Sequence, residues 1–293
     1  MFAWVRRRCA DECDVSRPRR GMIRRRACSG RCDLRAAVFL LLACLHPTLL
    51  AAADPVPQFH KGITFTHGYR GGDDMRSQRA EESLRYLRRH LAIEWIALNP
   101  FGYQRSVKET DIRFRGDPPD EHLANGIREA RALGFKVMLK PHIWLREQSG
   151  DDWRGTIGFS TEQEWNDWFA SYERFILHYA RIAAETETEI FCIGVELSRT
   201  VSERPDDWRR LIAQIRAVYP GPLTYAANWW GDYDVVEFWD QLDYIGVNAF
   251  FPISDEASPT DLVSLTNGAR AVADQIEKVH ERTGRPVLLT EIG

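Results

Sequence analysis

The chain has 293 residues, of which 44% are hydrophobic and 28% are charged, a composition typical of a globular protein that excludes wholesale disorder. Residues 1–35 contain eleven of the 39 Lys and Arg but only four of the 42 Asp and Glu, so the rest of the chain is acidic. Because contacts with nucleic-acid phosphates need clustered Lys and Arg, an acidic body without a basic stripe argues against nucleic acid as a partner.

Residues 1–53 are predicted to be an Arg-rich leader with a secretory signal peptide. Arginines 24–26 precede the apolar run 36–45, and Ala51–Ala53 provides small residues for cleavage. The run is too short to span a bilayer, so we expect no stable membrane span. We expect cleavage near Ala53 and a secreted or periplasmic protein. Because Leu41–Cys44 also resembles a bacterial lipoprotein box, anchoring at Cys44 is a second interpretation.

Cysteines are unevenly distributed along the chain. Five of the six precede residue 45, and only Cys192 lies in the rest of the chain. The spacings Cys9/Cys13 and Cys28/Cys32 could suggest a metal knuckle, but no histidine lies nearby at ligand spacing. We therefore expect no metal and no other cofactor, and a domain that its core stabilises without an internal disulfide.

Residues 54–293 are predicted to form one α/β domain, because strand-like runs alternate with helical segments and most of those runs are continuously hydrophobic, as in parallel sheets. The predicted strands are Gly62–Thr66, Ile93–Asn99, Lys136–Pro141, Ile190–Val195, Leu223–Ala227, Tyr244–Asn248 and Val287–Thr290. The predicted helices are 76–90, 121–133, 161–185, 206–218, 233–240 and 260–283. Seven of the eight βα units of a (β/α)8 TIM barrel are therefore visible. We expect the domain to be incomplete at its C-terminus, and this chain alone to be marginally stable or inactive, because an unclosed barrel exposes two sheet edges.

Two glutamates end predicted strands, Glu196 after the fourth and Glu291 after the seventh. A carboxylate at the end of a buried strand costs free energy unless it is paired or used. Either one alone is explained by helix capping or by an ion pair with an arginine such as Arg199. As a pair they face each other across the carboxyl end of a barrel, where active sites form, and a separation of about 5–5.5 Å is the geometry of a retaining glycosidase.

A set of sequence segments carries a resemblance to one family: Lys61–Phe65, Trp95–Phe101, Val137–Trp144, Ile193–Leu197, Tyr225–Trp230, Asp243–Val247 and Thr290–Gly293. In this order, over about residues 60–293, they resemble glycoside hydrolase family 113. Members of that family are retaining β-mannanases of clan A with a (β/α)8 barrel. The resemblance implies Glu196 as acid/base, Glu291 as nucleophile, and cleavage of β-1,4-mannan or manno-oligosaccharides by double displacement.

Polar and aromatic residues at the strand ends suit a sugar, because aromatic faces pack on a pyranose ring while amides, imidazoles and ammonium groups bind its hydroxyls. The predicted substrate-binding residues are His67, Asn99, Lys140, His142, Trp144, Asn228, Trp229, Trp230 and Asn248. Packing at the rim is the alternative for the three tryptophans, and a salt bridge to another strand-end acid is the alternative for Lys140. Trp165 and Trp168 have helical spacing and are predicted to lie in the core.

Other functions remain open at this point. Another β-glycan, such as xylan or a cello-oligosaccharide, is an alternative substrate because mannose and glucose differ only at C2. A non-catalytic carbohydrate-binding barrel is a second alternative. A metallohydrolase is disfavoured, because the chain lacks H-x-H and H-E-x-x-H spacing. We expect a monomer whose partner is an oligosaccharide or polysaccharide.

Overall fold

A computed structural model describes residues 59–66, 77–114, 119–254 and 261–293. The strands in these residues are β1 (Gly62–Thr64), β2 (Trp95–Leu98), β3 (Phe101–Gln104), β4 (Ile112–Arg113), β5 (Lys136–Leu139), β6 (His142–Leu145), β7 (Ile190–Val195), β8 (Leu223–Asn228), β9 (Tyr244–Ala249) and β10 (Val287–Ile292). Seven of them form one parallel sheet in the order β1-β2-β5-β7-β8-β9-β10. These seven are the predicted strands, and together they form a nearly closed barrel.

Helices connect the barrel strands except β8 and β9, and this arrangement confirms the predicted (β/α)8 fold class. They are α1 (Gln78–His90), α2 (Asp120–Ala132), α3 (Glu162–Glu185), α4 (Ser198–Glu203), α5 (Pro205–Val218) and α6 (Leu262–Thr283). The predicted signals act where expected: Thr161 and Glu164 form a capping box at the start of α3, and Gly134 adopts a φ of 85° after α2.

Alternation along the strands divides the core into two parts. On β2, Trp95 and Ala97 point to one face of the sheet while Ile96 and Leu98 point to the other. The first face packs with Met138, Cys192, Ala226 and Leu288 inside the barrel. The second face packs against the helices, among residues that include Trp165 and Trp168, 5% and 0% exposed, so both belong to the core as predicted.

Two of the barrel strands, β2 and β5, are each followed by a further strand beyond a proline, and these further strands were not predicted. β2 is followed by Asn99-Pro100 and then β3, and β5 is followed by Lys140-Pro141 and then β6. In both pairs, β2–β5 and β3–β6, the paired residues are 41 positions apart in the sequence, so the same register continues beyond the two prolines. β3 and β6, with β4 on the far side of β3, form a three-stranded sheet that extends the carboxyl end of the barrel.

The predicted helix at 233–240 is wrong. This segment consists of turns and a single 3₁₀ turn, Trp239–Gln241. Its buried residues include the adjacent pair Phe238 and Trp239 as well as Tyr233 and Val236, a spacing that does not place them on one helical face. The short helix α4 was also missed. None of the helices in the described ranges is long and apolar enough to cross a membrane; the predicted leader lies outside those ranges.

Candidate active site

The carboxyl ends of the barrel strands bring together a cavity of about 430 Å³. It is lined by Ile63, Thr64, Asn99, Phe101, His142, Trp144, Arg154, Phe250, Thr290, Glu291 and Ile292. Most of these residues lie at or just after a strand end, where successive parallel strands present their polar termini to one side. A larger groove of about 610 Å³ lies between β4 and α3, but neither strand-end glutamate lines it.

Glu291, on β10, forms an ion pair with Lys140. The ammonium nitrogen Nζ lies 2.5 Å from Oε1 of the carboxylate, and Lys140 has no exposed surface while the Glu291 side chain is 25% exposed. Of the two roles considered for Lys140, the salt bridge to a strand-end acid is therefore the one that the structure shows. Glu291 also lines the cavity, and no hydrogen bond from the described residues reaches its Oε2.

Glu196 directly follows β7 in an unusual backbone conformation. Its φ is 51°, in the left-handed region that residues other than glycine rarely adopt and that is common at functional sites. Arg154 Nη1 donates to its Oε2 at 2.6 Å, and Asn248 Nδ2 donates to its Oε1 at 2.9 Å. The arginine that meets Glu196 is thus Arg154, whereas Arg199 pairs with Glu203.

Asn248 links the two glutamates. It lies beside Glu291 in the β9–β10 register, and its amide nitrogen donates to Glu196. Its amide oxygen accepts a hydrogen bond from the Thr290 hydroxyl at 2.7 Å, which fixes the orientation of the amide. Asn248 is fully buried, and both its amide nitrogen and its amide oxygen make hydrogen bonds within the protein, so it is a partner of Glu196 here. Arg154 lines the same cavity as Glu291, so both carboxyl groups belong to one site.

Asn99 and His142 occupy the neighbouring wall of the cavity. Asn99 Nδ2 lies 3.2 Å from His142 Nε2, and both residues are buried. Burial, with smaller contributions from the charges of Lys140 and Arg154, holds the pKa of His142 well below its usual range. The imidazole is therefore neutral and accepts from the amide. Asn99 Oδ1 is buried without a hydrogen-bond partner among the described residues, so it offers an acceptor in the cavity wall.

The three tryptophans predicted to bind substrate differ in how far they are exposed to solvent. Trp144 lines the cavity, is 46% exposed and packs edge-on against Phe101. Trp230 is 75% exposed, and its backbone N–H donates to Asn228 Oδ1 at 2.7 Å. Trp229 is half-buried and packs against Phe251. His67, the remaining predicted binding residue, lies outside the described residues.

The cavity lining includes seven residues that were not predicted from the sequence: Ile63, Thr64, Phe101, Arg154, Phe250, Thr290 and Ile292. Six of them lie on a barrel strand or close to the end of one, a position that could have identified them. Arg154 is the exception, because it lies in a 3₁₀ turn between β6 and α3, and nothing in that segment of the sequence shows which side chain reaches Glu196.

The chain resembles known proteins over most of its length. The sequence model of Glycoside Hydrolase Family 113 matches residues 63–293. Among curated proteins, none matches the chain. A solved complex of a GH113 β-1,4-mannanase is 33% identical with a TM-score of 0.68, the match covering 79% of this chain and 71% of that one. The β-mannanase AaManA from Alicyclobacillus acidocaldarius, in complex with ManMIm, is 30% identical with a TM-score of 0.69 and coverage of 81% and 72%. The fold is also shared by a β-glucuronidase from Ruminococcus gnavus. That protein is 10% identical, with a TM-score of 0.55, and the match covers 81% of this chain and 36% of that one.

Proposed function

The chain belongs to glycoside hydrolase family 113 and is a glycoside hydrolase, and on that premise we propose that it cleaves β-1,4-mannan or manno-oligosaccharides with retention of the anomeric configuration. The observation that carries the proposal is the pair Glu196 and Glu291 at two strand ends of one barrel, joined through Asn248. The mannanase names of the similar solved structures support the substrate.

In the proposed mechanism, Glu291 attacks the anomeric carbon while Glu196 donates a proton to the leaving glycosidic oxygen. The product is a covalent glycosyl-enzyme in which the new bond joins the anomeric carbon to a carboxylate oxygen of Glu291. Glu196, now ionised, then accepts a proton from water as that water attacks the same carbon, and Glu291 leaves as a carboxylate. Two inversions give net retention.

The contacts of the two glutamates support different roles. Lys140 donates to Oε1 of Glu291, and the other oxygen is available for attack on the anomeric carbon. Glu196 accepts hydrogen bonds on both oxygens, from Arg154 and from Asn248, so it has no oxygen free to act as the nucleophile. In the first step a proton occupies one of these oxygens.

The cavity wall supports a sugar ligand. Asn99 Oδ1 is a buried acceptor without a partner among the described residues, and a sugar hydroxyl is a donor that satisfies it. Trp144 presents an exposed aromatic face at the same cavity. Tests of manno-, cello- and xylo-oligosaccharides of equal length determine the substrate, and the proposal requires the highest kcat/KM on the manno series. A higher value on either other series would replace mannan with that glycan.

Two substitutions test the assignment of catalytic roles. We expect Glu196→Ala to lower kcat/KM on manno-oligosaccharides by at least about a hundredfold, the usual range for loss of a general acid. The kcat/KM for a dinitrophenyl mannoside should fall much less, because this leaving group needs no proton, whereas kcat should fall on both substrates because Glu196 is also the base of the second step. Glu291→Ala should abolish turnover of both substrates. Glu203→Ala, an exposed glutamate near Glu196 in sequence, is the matched control.

Trapping gives a second, independent readout. A fluorinated mannosyl donor that forms the intermediate but hydrolyses slowly should label a peptide containing Glu291, and mass spectrometry detects the added sugar. Proton NMR of the first product formed should show the β anomer. Initial release of the α anomer would contradict retention. Binding of manno-oligosaccharides in calorimetry without product release would instead favour the carbohydrate-binding barrel.

We propose further that residues 1–53 direct export and that the mature protein is a monomer. The support for export is the sequence alone: a positive region, the apolar run 36–45 and the small residues Ala51–Ala53. The intact mass of the exported protein tests this proposal, because cleavage after Ala53 and lipid attachment at Cys44 give different masses. Light scattering of the same sample tests the monomer.

A further inference from the structure

A second acid lies buried behind the proposed acid/base. Asp232, in the turns that follow β8, has no exposed surface. The hydroxyls of Ser198 and Tyr225 both donate to its Oδ2 at 3.1 Å, while Oδ1 is buried with no hydrogen-bond partner among the described residues. A buried carboxyl group with an incompletely paired oxygen destabilises the fold.

The contacts of Asp232 lead directly to the turn that carries Glu196. The Tyr225 hydroxyl donates a hydrogen bond to Asp232 and accepts one from the backbone N–H of Leu197 at 2.7 Å. Leu197 follows Glu196, whose left-handed backbone must be held in place by its surroundings. Ser198, the next residue, also donates to Asp232. Two consecutive residues after Glu196 are thus tied to one carboxyl group.

Asp232 also stabilises the loop that carries an exposed aromatic residue. Its backbone carbonyl accepts hydrogen bonds from the N–H groups of Val235 and Val236, both at 3.1 Å. Trp230 lies two residues before Asp232, and the intervening Gly231 has a φ of 102°. The side chain and the backbone of Asp232 therefore connect the turn after β7 with the turns after β8.

We propose that Asp232 is a positioning residue for the reaction, which holds the turn after Glu196 through Tyr225 and Ser198 and whose charge is coupled to that of Glu196. This inference rests on the proposed function, because it assigns the acid/base role to Glu196. Asp232 does not line the cavity and acts through its neighbours.

The electrostatic surroundings support the coupling. Burial raises the pKa of Asp232 from 3.8 to about 7; the hydrogen bonds from Ser198, Tyr225 and the backbone of Asn228 oppose this shift, and the charge of Glu196 adds to it. The titratable groups that act on Asp232 are Glu196 after β7 and Tyr225 on β8, while α4 contributes the neutral hydroxyl of Ser198.

Leaving-group dependence distinguishes positioning of the acid from a general structural role. We expect Asp232→Asn and Tyr225→Phe each to lower kcat/KM on manno-oligosaccharides about tenfold and to spare kcat/KM for a dinitrophenyl mannoside, whose leaving group needs no proton. Asp234→Asn, an exposed neighbour, is the control. An equal loss on both substrates, or no loss, would overturn the proposal.

Titration of Asp232 itself tests the coupling without any catalysis. In protein labelled with ¹³C at aspartate carboxyl carbons, the Asp232 signal is identified by its disappearance in Asp232→Asn. Glu196→Gln should move the midpoint of this signal to lower pH, because it removes a nearby negative charge. An unchanged midpoint would refute the coupling even if the enzyme is active. If wild-type protein hydrolyses no β-glycan yet the midpoint moves, the proposed function fails while the coupling of the two acids stands.

Discussion

Substitution of Asp232 by asparagine should change how the stability of the protein depends on pH. The folded protein holds the pKa of Asp232 at about 7, against 3.8 for the unfolded chain, and burial is the main cause. Because the folded pKa is the higher one, the proton stabilises the fold below about pH 4, and this stability is lost as pH rises towards 7. At about 1.4 kcal/mol for each pKa unit, the full loss is about 4 kcal/mol, of which about 2.5 kcal/mol falls between pH 5 and pH 8.

Asparagine cannot ionise, so the Asp232→Asn variant does not lose this stability as the pH rises. Its amide carries a fixed cost at every pH, because the nitrogen at the site of Oδ1 has no partner among the described residues. Urea unfolding of both proteins at pH 5 and pH 8 separates the two effects. We expect the free energy of unfolding of the variant, relative to wild type, to rise by about 2.5 kcal/mol from pH 5 to pH 8.

Titrating groups that do not interact with Asp232 are common to both proteins and cancel in this difference. Asp234→Asn removes an exposed carboxyl group from the same segment and should show no such trend. If the relative stability of Asp232→Asn is the same at both pH values, Asp232 is already ionised at pH 5 and the argument from its burial is wrong.

Three further predictions concern the cavity itself. Lys140→Met should lower kcat about 10- to 100-fold, because Glu291 loses a charged hydrogen-bond donor, and an unchanged kcat would contradict that role. The imidazole of His142, buried and near two cations, should stay neutral from pH 8 to pH 5 by ¹⁵N NMR, whereas protonation in that range would show that water reaches it. Trp144→Ala should raise KM for manno-oligosaccharides about three- to tenfold with kcat nearly unchanged, while Tyr86→Ala, an exposed aromatic on α1, should leave KM unaltered.

Local patterns sufficed to predict the barrel and the two strand-end glutamates. Continuous apolar runs mark parallel strands, and a carboxylate at the end of such a run is conspicuous because nothing in the strand itself can pair with it. The 190–195 strand was predicted to its last residue, which placed Glu196 correctly at its end. Thr161 and Glu164 likewise marked the start of α3, since a capping box is encoded within four residues.

The partners of the glutamates were predicted less completely: a salt bridge from Lys140 to a strand-end acid was one of two interpretations, and Arg154 was not identified. Arg154 and Glu196 are 42 residues apart, and Lys140 and Glu291 are 151 apart. Many arginines in the chain have similar sequence surroundings, and only the folded barrel determines which one reaches Glu196. Asp232 was missed for the same reason, because its burial depends on contacts with α4 and β8 rather than on its own segment.

The prolines that follow β2 and β5 interrupt each strand locally, yet they align two residues of the site that are distant in sequence. Proline cannot donate a hydrogen bond and restricts the residue before it, so Pro100 and Pro141 predict strand ends. Yet the N–H of His142 donates to the carbonyl of Pro100, and the same register continues beyond both prolines. The residue before each proline, Asn99 or Lys140, therefore lies at matching positions of adjacent strands. Asn99 lies in the cavity wall and Lys140 binds Glu291, so the two breaks place a proposed ligand-binding residue beside the partner of the proposed nucleophile.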